Sequence, residues 1–141
     1  MCMGLSSFLS VETGLPIMIA SFGASTVILF SYPKTRVSRP KNVVLGHVIS
    51  AIAGVLSVQI LGFSWLSITV AVTLAFAAMT LTDTVHPPGG ATAIVAVMSS
   101  AGPLFILAPV LAGAVLITGT AHAVNLLHNA YSERVEKPRS A

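Results

Sequence analysis

Apolar residues run through this chain in long unbroken stretches, and short interruptions rich in proline, glycine or charge separate them. Stretches 15–32, 43–63 and 65–82 each read as a helix of about the length, roughly 20 residues, that crosses a bilayer core. The first breaks at Pro33, and the third opens at Trp65, a residue type that favours the membrane–water boundary. After the turn His86-Pro87-Pro88-Gly89-Gly90-Ala91-Thr92, stretch 90–100 predicts a short fourth helix and 103–128 a long fifth. The short one rises only about 17 Å at about 1.5 Å per residue, against a hydrocarbon core of about 30 Å. Its preceding turn is therefore expected inside the membrane profile, where irregular backbone persists only if protein buries it or water reaches it.

Composition sets the class. The 141 residues are 55% hydrophobic and 8% charged, with a mean hydropathy of +0.92, far from the roughly 25% charge of soluble domains. The chain reads as an all-α membrane protein of about five transmembrane or half-membrane helices. Asp83 is the only formal charge between Asn42 and Ser132. The net charge of +3 is clustered, with Lys34, Arg36, Arg39 and Lys41 in one loop and Arg134, Lys137 and Arg139 in the tail. Membrane topology accounts for such clusters, so nucleic acid is not expected as a partner. Cys2 is the single cysteine and forms no internal disulfide. The first ten residues lack the basic start of a secretory signal.

The chain also repeats itself. Gly23-Ala24-Ser25-Thr26-Val27-Ile28 lines up with Gly90-Ala91-Thr92-Ala93-Ile94-Val95, and at the same offset of 67 Val43, Val44, Gly46, Val48 and Ile49 line up with Val110, Leu111, Gly113, Val115 and Leu116. Each half then holds a spanning helix, a broken short helix and a second spanning helix, with the first helix of the first half truncated. Excess positive charge places the 32–41 loop and the C-terminus in the cytoplasm of a multi-pass protein of the cell membrane. The alternating directions that follow make the halves an inverted repeat, a common transporter plan. The expected parts are a first-helix remnant at 1–14, a transmembrane domain at 15–130 and a basic tail at 131–141.

Two Gly-Ala-Ser/Thr starts entering from opposite sides bring helix N-termini together, and such termini offer free N–H donors and partial positive charge to a small anion. The expected binding residues are Gly23, Ala24, Ser25, Thr26, His86, Gly89, Gly90, Ala91 and Thr92. Asp83, His86 and His122 are the candidate gating or proton-linked groups, because histidine changes charge near neutral pH. Blander readings stand beside these. His86 caps the turn, Asp83 caps it or pairs with His86, and His122, Asn125 and Asn129 share a face that packs on a neighbouring helix. His47 lies near the start of its helix, close to the basic loop. Gly46, Ser50 and Gly54 form a small-residue stripe that joins two halves of one chain or two copies of it.

The segment from His86 to Ala93 resembles the signature of the HPP family of integral membrane proteins, which takes its name from the tripeptide. Ser21-Phe22-Gly23-Ala24-Ser25-Thr26, with Phe30 and Pro33, and Arg39-Pro40-Lys41-Asn42-Val43-Val44 leading to Gly46-His47 support the resemblance, which covers about 15–129. Members of that family in plants and cyanobacteria are linked to nitrite transport, so the resemblance implies nitrite where the residues alone indicate a small anion. The leading expectation is a permease or channel without enzymatic activity or cofactor, whose partners are lipid and a small inorganic anion. An accessory or structural membrane subunit is the alternative. A metal enzyme using His86, Asp83 and His122 is a third, disfavoured because no helix face carries two ligands at metal-binding spacing.

Overall fold

The computed structural model describes residues 21–136. Within them the chain forms five α-helices and no strand: α1 Ser21–Ser31, α2 Pro40–Leu61, α3 Trp65–Leu81, α4 Pro88–Met98 and α5 Ala112–Glu136. A 3-10 turn, Arg36–Ser38, precedes α2, and a wide helical turn, Ile106–Leu111, precedes α5. Two helical stretches, Pro40–Leu61 and Ile106–Tyr131, are long and apolar enough to cross a membrane. The remnant expected at 1–14 lies outside the described residues, as does the end of the tail.

Local chemistry explains most of the boundaries. Pro40 sits in the first turn of α2, where its missing N–H is no loss. Gly62 ends that helix at φ +68°, a conformation glycine adopts freely. A reciprocal cap opens α3, with the Ser67 amide donating to Ser64 Oγ at 3.1 Å and the Ser64 amide to Ser67 Oγ at 3.0 Å. α3 and α4 both close on a left-handed residue, Asp83 (φ 55°) and Ser100 (φ 47°). After each, the next amide reaches back to the helix, Thr84 N–H to Met79 O and Ala101 N–H to Ala96 O, both at 2.9 Å.

Several boundaries differ from the sequence reading, beginning with α2, which starts at Pro40 rather than residue 43 and ends at Leu61 rather than residue 63. α4 begins at Pro88 rather than residue 90, because proline is tolerated in a first helical turn. Gly23 lies within α1 and does not start it. The long fifth helix is interrupted, since Ala108 takes extended angles (φ −134°, ψ 118°) before Pro109. Proline disfavours helical geometry in the residue before it, so the continuous part of α5 starts at Ala112 and runs to Glu136, past the expected end at 128.

α2 is the hub and packs against α3, α4 and α5. α1 and α4 run antiparallel, with Ser21 beside Thr92 and Ser25 beside His86. α2 and α5 are antiparallel too: Phe22, Ala51, Val110, Ala114 and Ile117 form one core cluster, and Leu29, Val43 and Ala121 another. The pairs related by the 67-residue offset thus point in opposite directions, as an inverted repeat requires. Val27, Ile60, Leu74, Phe76 and Leu107 are exposed on the outside, the pattern of a bundle that faces lipid.

The small-residue stripe is used inside the chain. A Cβ at Gly54 would lie 2.6 Å from Ala96 Cβ, and one at Gly89 would lie 2.8 Å from Ser50 Oγ and 2.9 Å from the Gly46 carbonyl. Gly46, Ser50 and Gly54 are buried against α4 and its leading turn. Of the two uses expected for the stripe, the contact within one chain is the one seen, with α4 covering that face.

Candidate functional site

Where α1, α2 and α4 meet, five polar side chains are withdrawn from solvent. Ser25, His47, His86 and Thr92 are fully buried, and Ser21 is 2% exposed. Burying polar groups in so apolar a setting is costly unless each finds a partner, and each does. Ser21 Oγ lies 2.8 Å from Thr92 Oγ1, and Thr92 Oγ1 lies 2.7 Å from His47 Nδ1. His47 Nε2 is 2.8 Å from Ser25 Oγ, which is 2.9 Å from His86 Nε2. His86 Nδ1 ends the chain 2.8 Å from the Val37 carbonyl.

Directions follow from one fact. A carbonyl only accepts, so with neutral rings His86 Nδ1 carries the hydrogen and its Nε2 accepts from the Ser25 hydroxyl. Ser25 Oγ in turn accepts from His47 Nε2–H, His47 Nδ1 accepts from Thr92, and Thr92 accepts from Ser21. Ser25 and Thr92 are equivalent positions of the repeat, so one imidazole bridges the matching hydroxyls of the two halves. The edge of the Phe22 ring packs on His47 with centroids 5.1 Å apart, and the His47 and His86 rings are also 5.1 Å apart.

The other expected binding residues are placed differently. Gly89 is buried, but the Gly89 and Gly90 amides donate to the His86 and Pro87 carbonyls at 2.9 and 3.1 Å. The free donors expected there are thus already spent. A Cβ at Gly23 or Gly90 would meet nothing within 4 Å. Ala24 and Ala91 face outward, and Thr26 Oγ1 donates to Phe22 O at 2.9 Å within its own helix. Asp83 does not contact His86; it forms an exposed ion pair with Arg36 and ties the basic loop to the α3–α4 turn.

His122 lies apart from the crossing. It lines two adjoining hollows, of about 500 and about 200 Å³, at the end of the bundle that carries the basic loop. Lys34, His128 and Asn129 line the larger, Arg39, Ser38 and Thr118 the smaller, and Asn125 both; among the described residues no carboxylate lines either. Thr118 Oγ1 is buried there without a hydrogen-bond partner among the described residues, while Asn125 donates to the Leu29 carbonyl at 3.4 Å.

The sequence reading left out two participants, Ser21 and His47, of which the second is the more telling. Its signal was available, because a titratable side chain within an apolar span is uncommon unless it has a role.

The chain matches the family described as HPP, transmembrane region, over residues 1–134. It belongs to the HPP family. Two transmembrane proteins of Dictyostelium discoideum are similar to it. One is 36% identical over 124 residues, 82% of this chain and 44% of its own length. The other is 38% identical over 124 residues, 82% of this chain and 40% of its own length. The chain thus spans less than half the length of these relatives. No solved structure matches it. An HPP-family chain is a membrane protein, and the tripeptide His86-Pro87-Pro88 that names the family supplies the imidazole at the loop end of the buried cluster.

Proposed function

We propose that this chain carries a small inorganic anion, with nitrite as the leading candidate, across a cell membrane as a multi-pass permease or channel. The observation that carries this reading is the pair of adjoining hollows at the basic-loop end, lined by Lys34, Arg39, His122 and His128 and, among the described residues, by no carboxylate. Cationic walls of low polarity concentrate anions at a mouth. The basic 32–41 loop marks that mouth as cytoplasmic. The antiparallel pairs α1/α4 and α2/α5 support the reading because inverted repeats commonly bind substrate where they meet. In this scheme His122 stands at the mouth, and the His47–His86 crossing is the constriction beyond it. The test is nitrite uptake by liposomes holding the purified chain: uptake above empty vesicles is expected. Its absence, for this chain and for a version extended at its N-terminus, would remove the proposal.

A second reading is favoured by a separate observation, that every polar group of the crossing is already satisfied within the chain. The cluster is then a clasp between the two halves, and the chain is an accessory or structural membrane subunit. A partner that co-purifies in fixed ratio, together with no uptake, would support it.

A further inference from the structure

We propose that Ser21, Thr92, His47, Ser25 and His86 form a proton wire through the crossing of α1, α2 and α4. The inference rests on hydrogen bonds and stands whether or not the anion is nitrite. Each of the five groups is of a kind that can both donate and accept, and successive partners lie 2.7–2.9 Å apart from Ser21 to the Val37 carbonyl. A cluster built only to hold helices together needs no such property, because one amide or one hydroxyl–carbonyl bond serves as well. Histidine is the side chain that takes a proton on one ring nitrogen and releases another from the opposite one, and both rings present both nitrogens to the chain.

The transfer balances with water as the proton donor at the Ser21 end and the proton acceptor at the Val37 end. A proton reaching Ser21 Oγ displaces the Ser21 hydrogen to Thr92, and the Thr92 hydrogen moves to His47 Nδ1. His47 passes its Nε2 hydrogen to Ser25, Ser25 passes its own to His86 Nε2, and His86 gives its Nδ1 hydrogen to a water molecule at the half-buried Val37, whose carbonyl holds the hydrogen bond but takes no proton. Every O–H or N–H bond formed is matched by one broken, and nothing is oxidised. Both rings end as the opposite tautomer. His86 Nδ1 then turns a lone pair toward the Val37 carbonyl, so the wire resets before the next proton. Ser25 has a place to turn during the reset, since its hydroxyl also lies 3.2 Å from the Ser21 carbonyl. Among the described residues, the titratable groups near the wire are the two imidazoles themselves and, at the loop end, Asp83 paired with Arg36.

The test uses the purified full chain in liposomes loaded with a pH-sensitive dye, with a potassium diffusion potential drawing protons inward, first without nitrite and then with it. Proton influx above empty vesicles is expected in at least one condition. It should disappear in His47→Gln, whose amide accepts from Thr92 and donates to Ser25 but does not relay a proton. Thr92→Val should lose the influx and Thr92→Ser recover it, which keeps the test decisive if His47→Gln does not fold. Influx at the level of empty vesicles for the unaltered chain, or influx unchanged in the folded His47→Gln or Thr92→Val protein, would overturn the wire. Nitrite uptake read in parallel separates the two proposals. Uptake with no proton movement removes the wire and leaves the anion reading, and proton movement with no uptake does the reverse.

Discussion

Thr92 shows how much one hydroxyl carries at the crossing. It takes a hydrogen bond from Ser21 and gives one to His47, so Thr92→Val leaves two buried partners unmatched, each costing about 1–3 kcal/mol. Thermal unfolding in detergent should show a clear loss for Thr92→Val and little change for Thr26→Val, whose hydroxyl bonds only within its own helix. Asp83 is the opposite case. Its ion pair with Arg36 has side chains 60% and 62% exposed, a setting in which such pairs are worth under about 1 kcal/mol, and its φ of 55° suits glycine. Asp83→Gly is therefore expected to unfold within a few degrees of the parent. The sequence pointed to Ser25, His86 and Thr92 because they belong to the Gly-Ala-Ser/Thr and His-Pro-Pro motifs. It passed over His47, whose place two turns into α2 suggested the membrane edge. α4 starts alongside Gly46, and that brings the crossing down to His47's level.

Close approach decides which glycines matter among the elements. With 2.6 Å between a Gly54 Cβ and Ala96 Cβ, and Ala93 backbone as near as 2.7 Å, neither side has a flexible group to yield. Gly54→Leu should thus fail to give a monodisperse protein in size-exclusion chromatography. Gly23→Ala meets nothing within 4 Å inside α1 and should be neutral or raise stability by up to about 1 kcal/mol through helix propensity. Helix ends were legible wherever proline or glycine acts alone, as at Pro33 and Gly62. They were less so where proline plays two roles. Pro88 sits inside a first turn and Pro109 breaks a helix that the hydrophobic run alone would have continued, because apolar length reports burial in lipid and not backbone continuity.

At the scale of the whole molecule, the inverted run of α1 and α4 came from the 67-residue repeat together with the charge asymmetry. The position of open space did not. Helix N-termini suggested a vacant anion site at the crossing, whereas side chains from three elements fill it and the hollows lie toward α5. If anions enter there, Lys34→Gln combined with Arg39→Gln should raise the KM for nitrite in liposomes with little change in maximal rate. The remaining uptake should also depend less on ionic strength, since screening acts on long-range attraction.

The tight seam between α2 and α4 constrains how such a molecule can move. With glycine contacts joining that pair and α3 packed on both, these three helices form one closely packed unit, and α1 meets it through α4 and the buried polar chain. Three of the five contacts in the buried chain cross that boundary, from Ser21 to Thr92 and from Ser25 to each imidazole. Swinging α1 outward would therefore cut the circuit at the same instant that it opened a gap, so a passage for solute and a continuous track for protons exclude each other in time.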